Sequence, residues 1–351
     1  GPDVAVLMAV KADAYGHGAV VVSRDVQAAG LVDAFGVATV PEGIELREAG
    51  ITLPILKMSH VFAEEVAAAI AADLEIAVVD ETGIDAAEAA AREAGVVARC
   101  HLKLDTGMGR IGARPEAAPD LAARVEASDH LHLRGVFTHF PVSDTPAEDA
   151  FTTQQIATFH AAVRSVEDRL GRGVEVVHLA NSGGVLAHPD CWASMVRPGI
   201  MTYGYYPDAT TPHTVDLRPA ITWATRISFL KQVRAGETVG YGRTWTAHQD
   251  TWIATMPVGY GDGYDRHLSN RGTVLIGGER YPIAGRVCMD QTMIDVGPSP
   301  RVAVGDEVIL LGTSGDLSYT ASDMAADLGT ISYEVTCAIA PRVQRVYENG
   351  S

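Results

Sequence analysis

Eight short apolar runs, separated by helix-forming segments, fill the chain from Val4 to about Gly204 and constrain its fold more than any other feature. The runs have the length of strands, and the segments between them are rich in Ala, Glu and Arg. Eight strands that alternate with helices predict a parallel (β/α)8 barrel of the TIM type, in which chemistry lies at the strand ends. The predicted strands are residues 4–10, 34–38, 53–57, 74–79, 99–104, 133–137, 174–179 and 195–202. The clearest predicted helices are residues 41–49, 82–94 and 147–170.

The pattern changes near Pro212. Residues 215–347 contain short alternating runs such as TVLIG, RYPIAG and EVILLG, separated by glycine-rich turns. Long helical periods are absent there except at residues 320–328, so a mostly antiparallel β-domain is predicted. With 351 residues the chain is long enough for two cores. The predicted domains are therefore residues 1–211 and 212–351.

Net charge and cysteine spacing argue against several classes of partner and against a metal site. The formal charge of -17 argues against binding to nucleic acid or to anionic membranes. None of the four cysteines forms a CxxC pair, and their spacing matches no zinc pattern, so reduced thiols in a cytoplasmic protein without a metal site are expected. The sequence has no apolar run of 18 residues, and no membrane span is predicted.

A lysine stands where the first predicted strand ends. Lys11 follows the apolar run of residues 4–10, and a turn with Tyr15 and two glycines leads from it to a helix that begins near Ala19. Desolvation at such a position disfavours the ammonium form, and a neutral amine can form a Schiff base. A solvated residue where a strand leaves the core is the alternative interpretation.

The segment KADAYGHG, which starts at Lys11, resembles the cofactor-lysine motif of the alanine racemases, pyridoxal 5′-phosphate (PLP) enzymes built from a barrel and a β-domain. Similar motifs follow in the family's order through nearly the whole chain. The resemblance implies an enzyme that interconverts L-alanine and D-alanine, supplies D-alanine for cell-wall peptidoglycan, and is a cytoplasmic homodimer with shared active sites. It also implies one more strand and helix before Lys11, so the sequence is expected to be truncated at its start.

Two barrel motifs carry implied contacts to the cofactor ring. HLKLDTGMGRIG is a strand followed by a glycine-rich loop. By resemblance, Arg110 contacts the phenolic oxygen of PLP and the substrate carboxylate, and Lys103, carbamylated in some family members, holds that arginine. VFTHF places His139 at a strand end, where the resemblance implies stacking on the pyridine ring. A hydrogen-bonded structural histidine is the alternative.

Two further motifs are implied to bind the cofactor's phosphate and nitrogen. HLANSGG places Asn181 and Ser182 at a predicted helix start, where backbone N–H groups favour a phosphate, and an ordinary Ser N-cap is a compatible interpretation. In MVRPGIMTYG, the resemblance implies that Arg197 hydrogen-bonds the pyridine nitrogen and keeps it unprotonated, since arginine does not readily give up a proton. Gly199 and Ile200 are implied to contact the phosphate through their backbone. Alone, Arg–Pro–Gly would indicate a surface turn.

The motif VGYGRTW carries Tyr241, which by resemblance is the second catalytic base. Racemisation needs two bases because one group removes the α-proton and another delivers a proton to the opposite face. Lysine and tyrosine have reference pKa values near ~10, so both must be tuned by their surroundings. The resemblance implies that Lys11 acts on the D-α-proton and Tyr241 on the L-α-proton, with His178 and Arg266 tuning Tyr241 through hydrogen bonds.

The remaining implied site residues have supporting roles. Phosphate ligands are implied at Tyr15 and Tyr333, and the Met289 backbone is implied to contact the substrate carboxylate. The implied residues of the substrate entryway are Tyr260 and Asp290.

Other functions remain open from sequence. A broad-specificity amino-acid racemase on the same fold would differ in the volume of its substrate pocket. A non-catalytic PLP-binding protein is normally a barrel alone, which the residues after Pro212 argue against. A decarboxylase of this fold lacks the paired Arg110 and Tyr241 motifs. A metallohydrolase is disfavoured because no HExxH or comparable cluster occurs.

Overall fold

The computed structural model describes residues 4–348, which divide into two compact units. The first comprises residues up to Thr202 together with Tyr206–Leu217. The second comprises Tyr203–Tyr205 and the chain from Arg218 onward. Among the described residues, no helix is both long and apolar enough to cross a membrane.

The first unit contains a closed barrel of eight strands, and every neighbouring pair is parallel. This confirms the predicted barrel. The first strand pairs with both the second and the eighth, so the barrel closes with these eight strands alone. The strands are β1 Ala5–Ala9, β2 Ala34–Val37, β3 Ile55–His60, β4 Glu75–Val78, β5 Ala98–Lys103, β6 Leu131–Phe137, β7 Val176–His178 and β8 Met195–Val196.

Helices connect the strands, and local signals fix their ends. Thr39 starts the second helix with a capping box, in which its hydroxyl accepts from the Glu42 N–H and Glu42 accepts from the Thr39 N–H. Gly95 and Gly171 end two others in the left-handed conformation. The helices are α1 Ala19–Ala28, α2 Val40–Glu48, α3 Ala63–Ala71, α4 Glu81–Ala94, α5 Ala118–Glu126, α6 Asp149–Leu170 and α7 Ser182–Ala187.

The turn between β1 and α1 is left-handed. Residues 12–15 have successive φ angles of 52°, 54°, 53° and 55°, a region that non-glycine residues normally visit singly. Two carboxylates hold the turn: Glu42 accepts from the Ala12 N–H at 2.8 Å, and Asp13 accepts from the Ala19 N–H at 2.7 Å. The sequence predicted a turn here but not its hand.

The second unit is built from antiparallel strands, as predicted. One core cluster joins Val233, Val239, Ala247, Ile253 and Ala284. The strands are β9 Trp223–Arg226, β10 Phe229–Val233, β11 Thr238–Val239, β12 Trp245–Thr246, β13 Thr251–Met256, β14 Thr273–Ile276, β15 Glu279–Pro282, β16 Thr292–Gly297, β17 Glu307–Ser314 and β18 Leu317–Tyr319. Two helices follow, α8 Ala321–Leu328 and α9 Ser332–Ala338. The second was not predicted, because it is only 7 residues long and has no side-chain cap.

Candidate active site

The barrel carries a ring of basic and imidazole side chains at the carboxyl ends of its strands. Lys11 follows β1, Lys103 ends β5 and His139 follows β6. His178 ends β7 and Arg197 follows β8. Since the carboxyl ends of parallel strands share one face of a barrel, these residues lie on the same face although they are far apart in the sequence.

Positive charge dominates this ring. Burial, followed by the charges of Arg197, Arg110, Lys103 and Lys11, holds the pKa of His139 well below its usual value. The imidazole is therefore neutral at physiological pH. Four cations that act on one neutral ring are suited to an anionic ligand.

Lys103 is buried among these cations. Burial first, and then the charges of Arg197, Arg110 and Lys11, lower its pKa from 10.5 to about 8. Its Nζ donates to the Met58 carbonyl at 3.3 Å and lies 5.3 Å from the centre of the Phe137 ring. A substantial fraction of this amine is thus uncharged in mildly alkaline solution.

The loop after β5 carries Arg110 and is organised by one carboxylate. Asp105 accepts backbone N–H groups from Gly107 at 2.9 Å, Gly109 at 3.1 Å and Arg110 at 3.2 Å. Although burial acts to raise the pKa of Asp105, these hydrogen bonds hold it below its usual value. Gly112 closes the loop, and a Cβ atom there would lie 2.5 Å from the Asp105 nitrogen. The Arg110 side chain is exposed.

Arg197 is buried, not part of the surface turn that Arg–Pro–Gly alone would indicate. Its Nη2 donates to the carbonyls of Thr138 at 2.6 Å and Leu179 at 3.0 Å and lies 3.4 Å from His139 Nδ1. Its Nη1 donates to His178 Nδ1 at 3.3 Å. Among the described residues, neither Nε–H nor the second Nη1–H has an acceptor, so two donors remain for a ligand. Burial lowers its pKa to about 10, which leaves it protonated at neutral pH.

Sequence reasoning missed two residues behind Arg197. His178 Nε2 lies 2.9 Å from His101 Nδ1, and His101 Nε2 lies 2.8 Å from the Glu75 carboxylate. The available signal was Glu75 itself, a charged residue inside an apolar strand. Both ring nitrogens of His178 are thus engaged inside the barrel.

Close packing joins β7, β8 and the turn after β1. Ser182 Oγ accepts from the backbone N–H of Gly199 at 2.9 Å and that of Met201 at 3.4 Å. A Cβ atom at Gly199 would lie 2.6 Å from the Tyr15 hydroxyl, so only glycine fits there. The N-cap of α7 is Asn181, whose Oδ1 accepts from the Gly184 N–H, and Ser182 is the first helical residue. The interpretation of Ser182 as the cap was therefore wrong. Ile200 begins a 3-10 turn, Ile200–Tyr203.

In the second unit, Tyr241 is 71% exposed and lies between Gly240 and Gly242, whose φ angles are 76° and 72°. An exposed phenol on a glycine-framed turn is unusual for a structural residue. Met289 is also exposed. Arg266 lies in the 3-10 turn Arg266–Leu268.

An arginine that sequence reasoning missed holds two acidic residues near the end of the second unit. Arg342 Nε donates to Asp262 at 2.8 Å, and its Nη2 donates to Asp290 at 2.8 Å. Asp262 also accepts from the Gly259 N–H at 2.9 Å, next to the exposed Tyr260. Tyr333 lies on α9.

Sequence models of the alanine racemase N-terminal and C-terminal domains match residues 1–207 and 220–347. The chain belongs to the alanine racemase family. The alanine racemase of Cutibacterium acnes is 52% identical over 347 residues, which is 98% of this chain and 92% of that protein. The structure of alanine racemase from Streptomyces coelicolor superposes with a TM-score of 0.93 at 37% identity, over 99% of this chain and 93% of that one. That of the Bacillus anthracis alanine racemase with bound L-Ala-P has a TM-score of 0.89 at 34% identity, over 97% and 87%.

Alanine racemases are known as PLP enzymes, and the barrel residues fit that cofactor. PLP has a phosphate, a phenolic oxygen and a pyridine nitrogen, all of which accept hydrogen bonds. Arg197 presents two donors without a protein acceptor among the described residues, and the cations around His139 suit the anionic groups. The Tyr15 hydroxyl approaches Gly199, whose N–H donates to Ser182 Oγ, so two hydroxyl groups that can serve a phosphate lie close together.

Proposed function

We propose that this protein is an alanine racemase that interconverts L-alanine and D-alanine with PLP held in the barrel. The observation that carries the proposal is the convergence of Lys11, Lys103, Arg110 and Arg197 on His139 at the carboxyl ends of the strands. A neutral imidazole ringed by cations suits an aromatic anion. The family matches, which extend over both units, agree with it.

The cofactor would be held from several directions. Lys11 would bind it covalently, Arg197 would donate to its pyridine nitrogen, and His139 would pack on its ring. Because Arg197 keeps its proton at neutral pH, it would leave that nitrogen unprotonated. The proposed phosphate ligands are Tyr15, Asn181, Ser182, Gly199, Ile200 and Tyr333. The side chain of Asn181 is already engaged with Gly184 and the Phe140 carbonyl, so its share would be through the backbone.

When bound, PLP supplies an electron sink that makes the substrate's α-proton acidic. Arg110 and the Met289 backbone would bind the substrate carboxylate. Lys11 would remove or return the proton of the D-isomer, and Tyr241 that of the L-isomer. The exposed position of Tyr241 on its unit is consistent with a group that reaches a substrate outside that unit. Tyr260, Asp290 and Arg266 would line or support the substrate's path.

The active form is proposed to be a cytoplasmic homodimer in which each site uses residues of both subunits. In such a closed, two-fold assembly the barrel of one subunit and Tyr241 of the other form two equivalent sites. The D-alanine product would supply peptidoglycan synthesis.

Racemisation of a panel of L-amino acids, with and without added PLP, tests the function directly. We expect racemisation of L-alanine that depends on PLP. In deuterated water at low conversion, D-alanine should carry solvent deuterium at its α-carbon, since two bases exchange with solvent. Tyr241→Phe should slow α-proton exchange from L-alanine far more than from D-alanine.

The matched control is Tyr281→Phe, which removes a phenol that hydrogen-bonds Glu279 in a different sheet of the same unit. It should leave both exchange rates unchanged. Early product that retained the original α-proton, or an equal loss of exchange from both isomers in Tyr241→Phe, would refute the two-base assignment.

A further inference from the structure

Four buried side chains form a continuous row through the barrel interior. It runs from Glu75 at the start of β4, through His101 on β5 and His178 at the end of β7, to Arg197 after β8. Their exposed fractions are 3%, 1%, 0% and 5%. The successive contacts are 2.8 Å, 2.9 Å and 3.3 Å. The row therefore connects the amino end of the barrel to the candidate active site.

The Arg197 guanidinium determines which ring nitrogen of His178, and in turn of His101, carries a proton. Arginine only donates, so His178 Nδ1 must be the acceptor and its Nε2 must carry the proton. That Nε2–H donates to His101 Nδ1, which must then be unprotonated. His101 Nε2 therefore carries a proton and donates it to Glu75.

The Glu75 carboxylate requires the same placement of protons on the two histidines. An ionised Glu75 only accepts, so His101 Nε2 must donate. A second proton on His101 would set two N–H groups against each other at His178. A second proton on His178 would set an N–H against Arg197. Both imidazoles are thus neutral, and each has one allowed tautomer.

Two arginines anchor the far end. Glu75 Oε1 accepts from Arg99 Nε at 3.1 Å and from Arg134 Nη1 at 2.6 Å, which leaves Oε2 for His101. Burial acts to raise the pKa of Glu75, but its interactions with His101, Arg134 and Arg99 hold it below its usual value. The carboxylate is consequently charged and fixed in rotation.

We propose that Glu75 and His101 are positioning residues for racemisation, which lock His178 in the tautomer that accepts from Arg197 and so hold a remaining guanidinium donor toward the cofactor's pyridine nitrogen. This rests on the proposed function, because it assumes that the ligand of Arg197 is PLP. Neither residue touches the reacting atoms. They act only by fixing which atom donates and which accepts in the three hydrogen bonds of the row.

Glu75→Gln tests the donor–acceptor direction of these hydrogen bonds, because it replaces one carboxylate oxygen by an NH2 group. The two arginines would hold the amide oxygen, so the amide nitrogen would face His101 and donate to its Nε2. His101 would then carry its proton on Nδ1 and donate to His178 Nε2. His178 would in turn carry its proton on Nδ1, facing the N–H of Arg197. The substitution is thus expected to invert both tautomers and break the Arg197 contact.

The first readout needs neither cofactor nor turnover. Histidine labelled with ¹⁵N in the ring is incorporated into the apoprotein, and long-range ¹H–¹⁵N correlation identifies the protonated nitrogen. In the native protein, both His101 and His178 should be neutral and protonated on Nε2. In Glu75→Gln, both should be protonated on Nδ1. A cationic or Nδ1-protonated ring in the native protein, or an unchanged His178 in the variant, would overturn the proposal.

The second readout is a split between kcat and KM in the PLP-loaded enzyme. At metal sites, loss of an outer hydrogen-bond partner typically costs roughly 10–100-fold in activity, and we expect a loss of that order here. It should appear in kcat with KM little changed, since the row does not reach the substrate. The matched control is Glu126→Gln, in which the carboxylate removed contacts an arginine, a histidine and a backbone N–H outside the row. It should retain native kcat. A kcat in Glu75→Gln equal to that of the control would overturn the proposal.

The two readouts distinguish a failure of this proposal from a failure of the proposed function, and a second variant covers misfolding. If the native protein and Glu126→Gln do not racemise alanine while the tautomers are as described, the proposed function fails and the order of the row stands. If Glu75→Gln does not fold, His101→Leu gives the same test without disturbing the arginines around Glu75. It leaves His178 Nε2–H without its acceptor while Arg197 still donates to Nδ1, so His178 should stay protonated on Nε2 but lose the hydrogen bond that holds its ring. The kcat should then fall as in Glu75→Gln, and a native kcat in His101→Leu would refute the positioning role.

Discussion

Replacing Lys103 by methionine should stabilise the barrel in a pH-dependent way. A fall in the pKa from 10.5 to about 8 means that the folded barrel disfavours the ammonium form by about 3 kcal/mol. Methionine has a similar length and carries no charge, so the variant lacks this cost. It also loses the Nζ hydrogen bond to Met58, worth about 1 kcal/mol, which adds an offset that does not depend on pH.

The sign of the pH dependence follows from the lowered pKa. Between pH 8 and 10.5 the unfolded chain binds more protons at Lys103 than the folded chain, so the native free energy of unfolding rises with pH there. The cost is fully present below the folded pKa and disappears as the pH approaches the unfolded value. The stability difference between Lys103→Met and the native protein should therefore be about 2–3 kcal/mol larger at pH 7 than at pH 10.

Urea unfolding of the apoprotein, followed by hydrogen-exchange mass spectrometry of peptides from β5 and β6, measures the barrel separately from the second unit. Protein concentration is held fixed, and bicarbonate is excluded, because a neutral Lys103 amine reacts with CO2 to give a carbamate and a proton. Lys231→Met removes an exposed lysine and is the control. Parallel stability–pH curves for the native protein and Lys103→Met would refute the reasoning.

Three further predictions concern the cofactor and the assembly. Borohydride reduction of the PLP-loaded protein, followed by peptide mass mapping, should place the adduct on Lys11, and an adduct on Lys57 or Lys103 would contradict the assignment. Arg197→Glu replaces a donor by an acceptor, so it should lower racemisation and alter the visible spectrum of the bound cofactor; unchanged rate and spectrum would show that Arg197 has no such role. Mixing inactive Lys11→Ala and Tyr241→Phe proteins should restore activity through heterodimers with one intact site, whereas demonstrated subunit exchange without recovery would count against shared sites.

The barrel could be predicted because its signals are local. Each strand is an apolar run and each helix has its own ends, so all eight strands were found with small errors in length. The largest error was the last strand, predicted as residues 195–202 but ending at Val196. Pro198 has no N–H to donate to a neighbouring strand, and the chain leaves the barrel there.

The interior row could not be predicted, because closure of the barrel creates it. Glu75 and His101 are 26 residues apart, and His101 and His178 are 77 apart, so no local pattern joins them. The same holds for Arg342, which bridges two acidic residues 80 and 52 positions away. Periodicity identifies which face of a strand is buried, but it does not say which buried polar groups meet.

In the left-handed turn after β1, glycine is less costly than alanine, which is the reverse of their order in an ordinary helix. Each non-glycine residue in this conformation costs roughly 1–2 kcal/mol, so residues 12–15 together hold about 4–8 kcal/mol of backbone strain. Glycine, which weakens an ordinary helix by about 0.5–1 kcal/mol, has no such strain with a positive φ angle. Ala12 and Ala14 are therefore positions where alanine is the costly residue and glycine the relaxed one. Relaxing them would increase the freedom of the backbone that carries Lys11, so a more stable protein would have a less firmly held lysine.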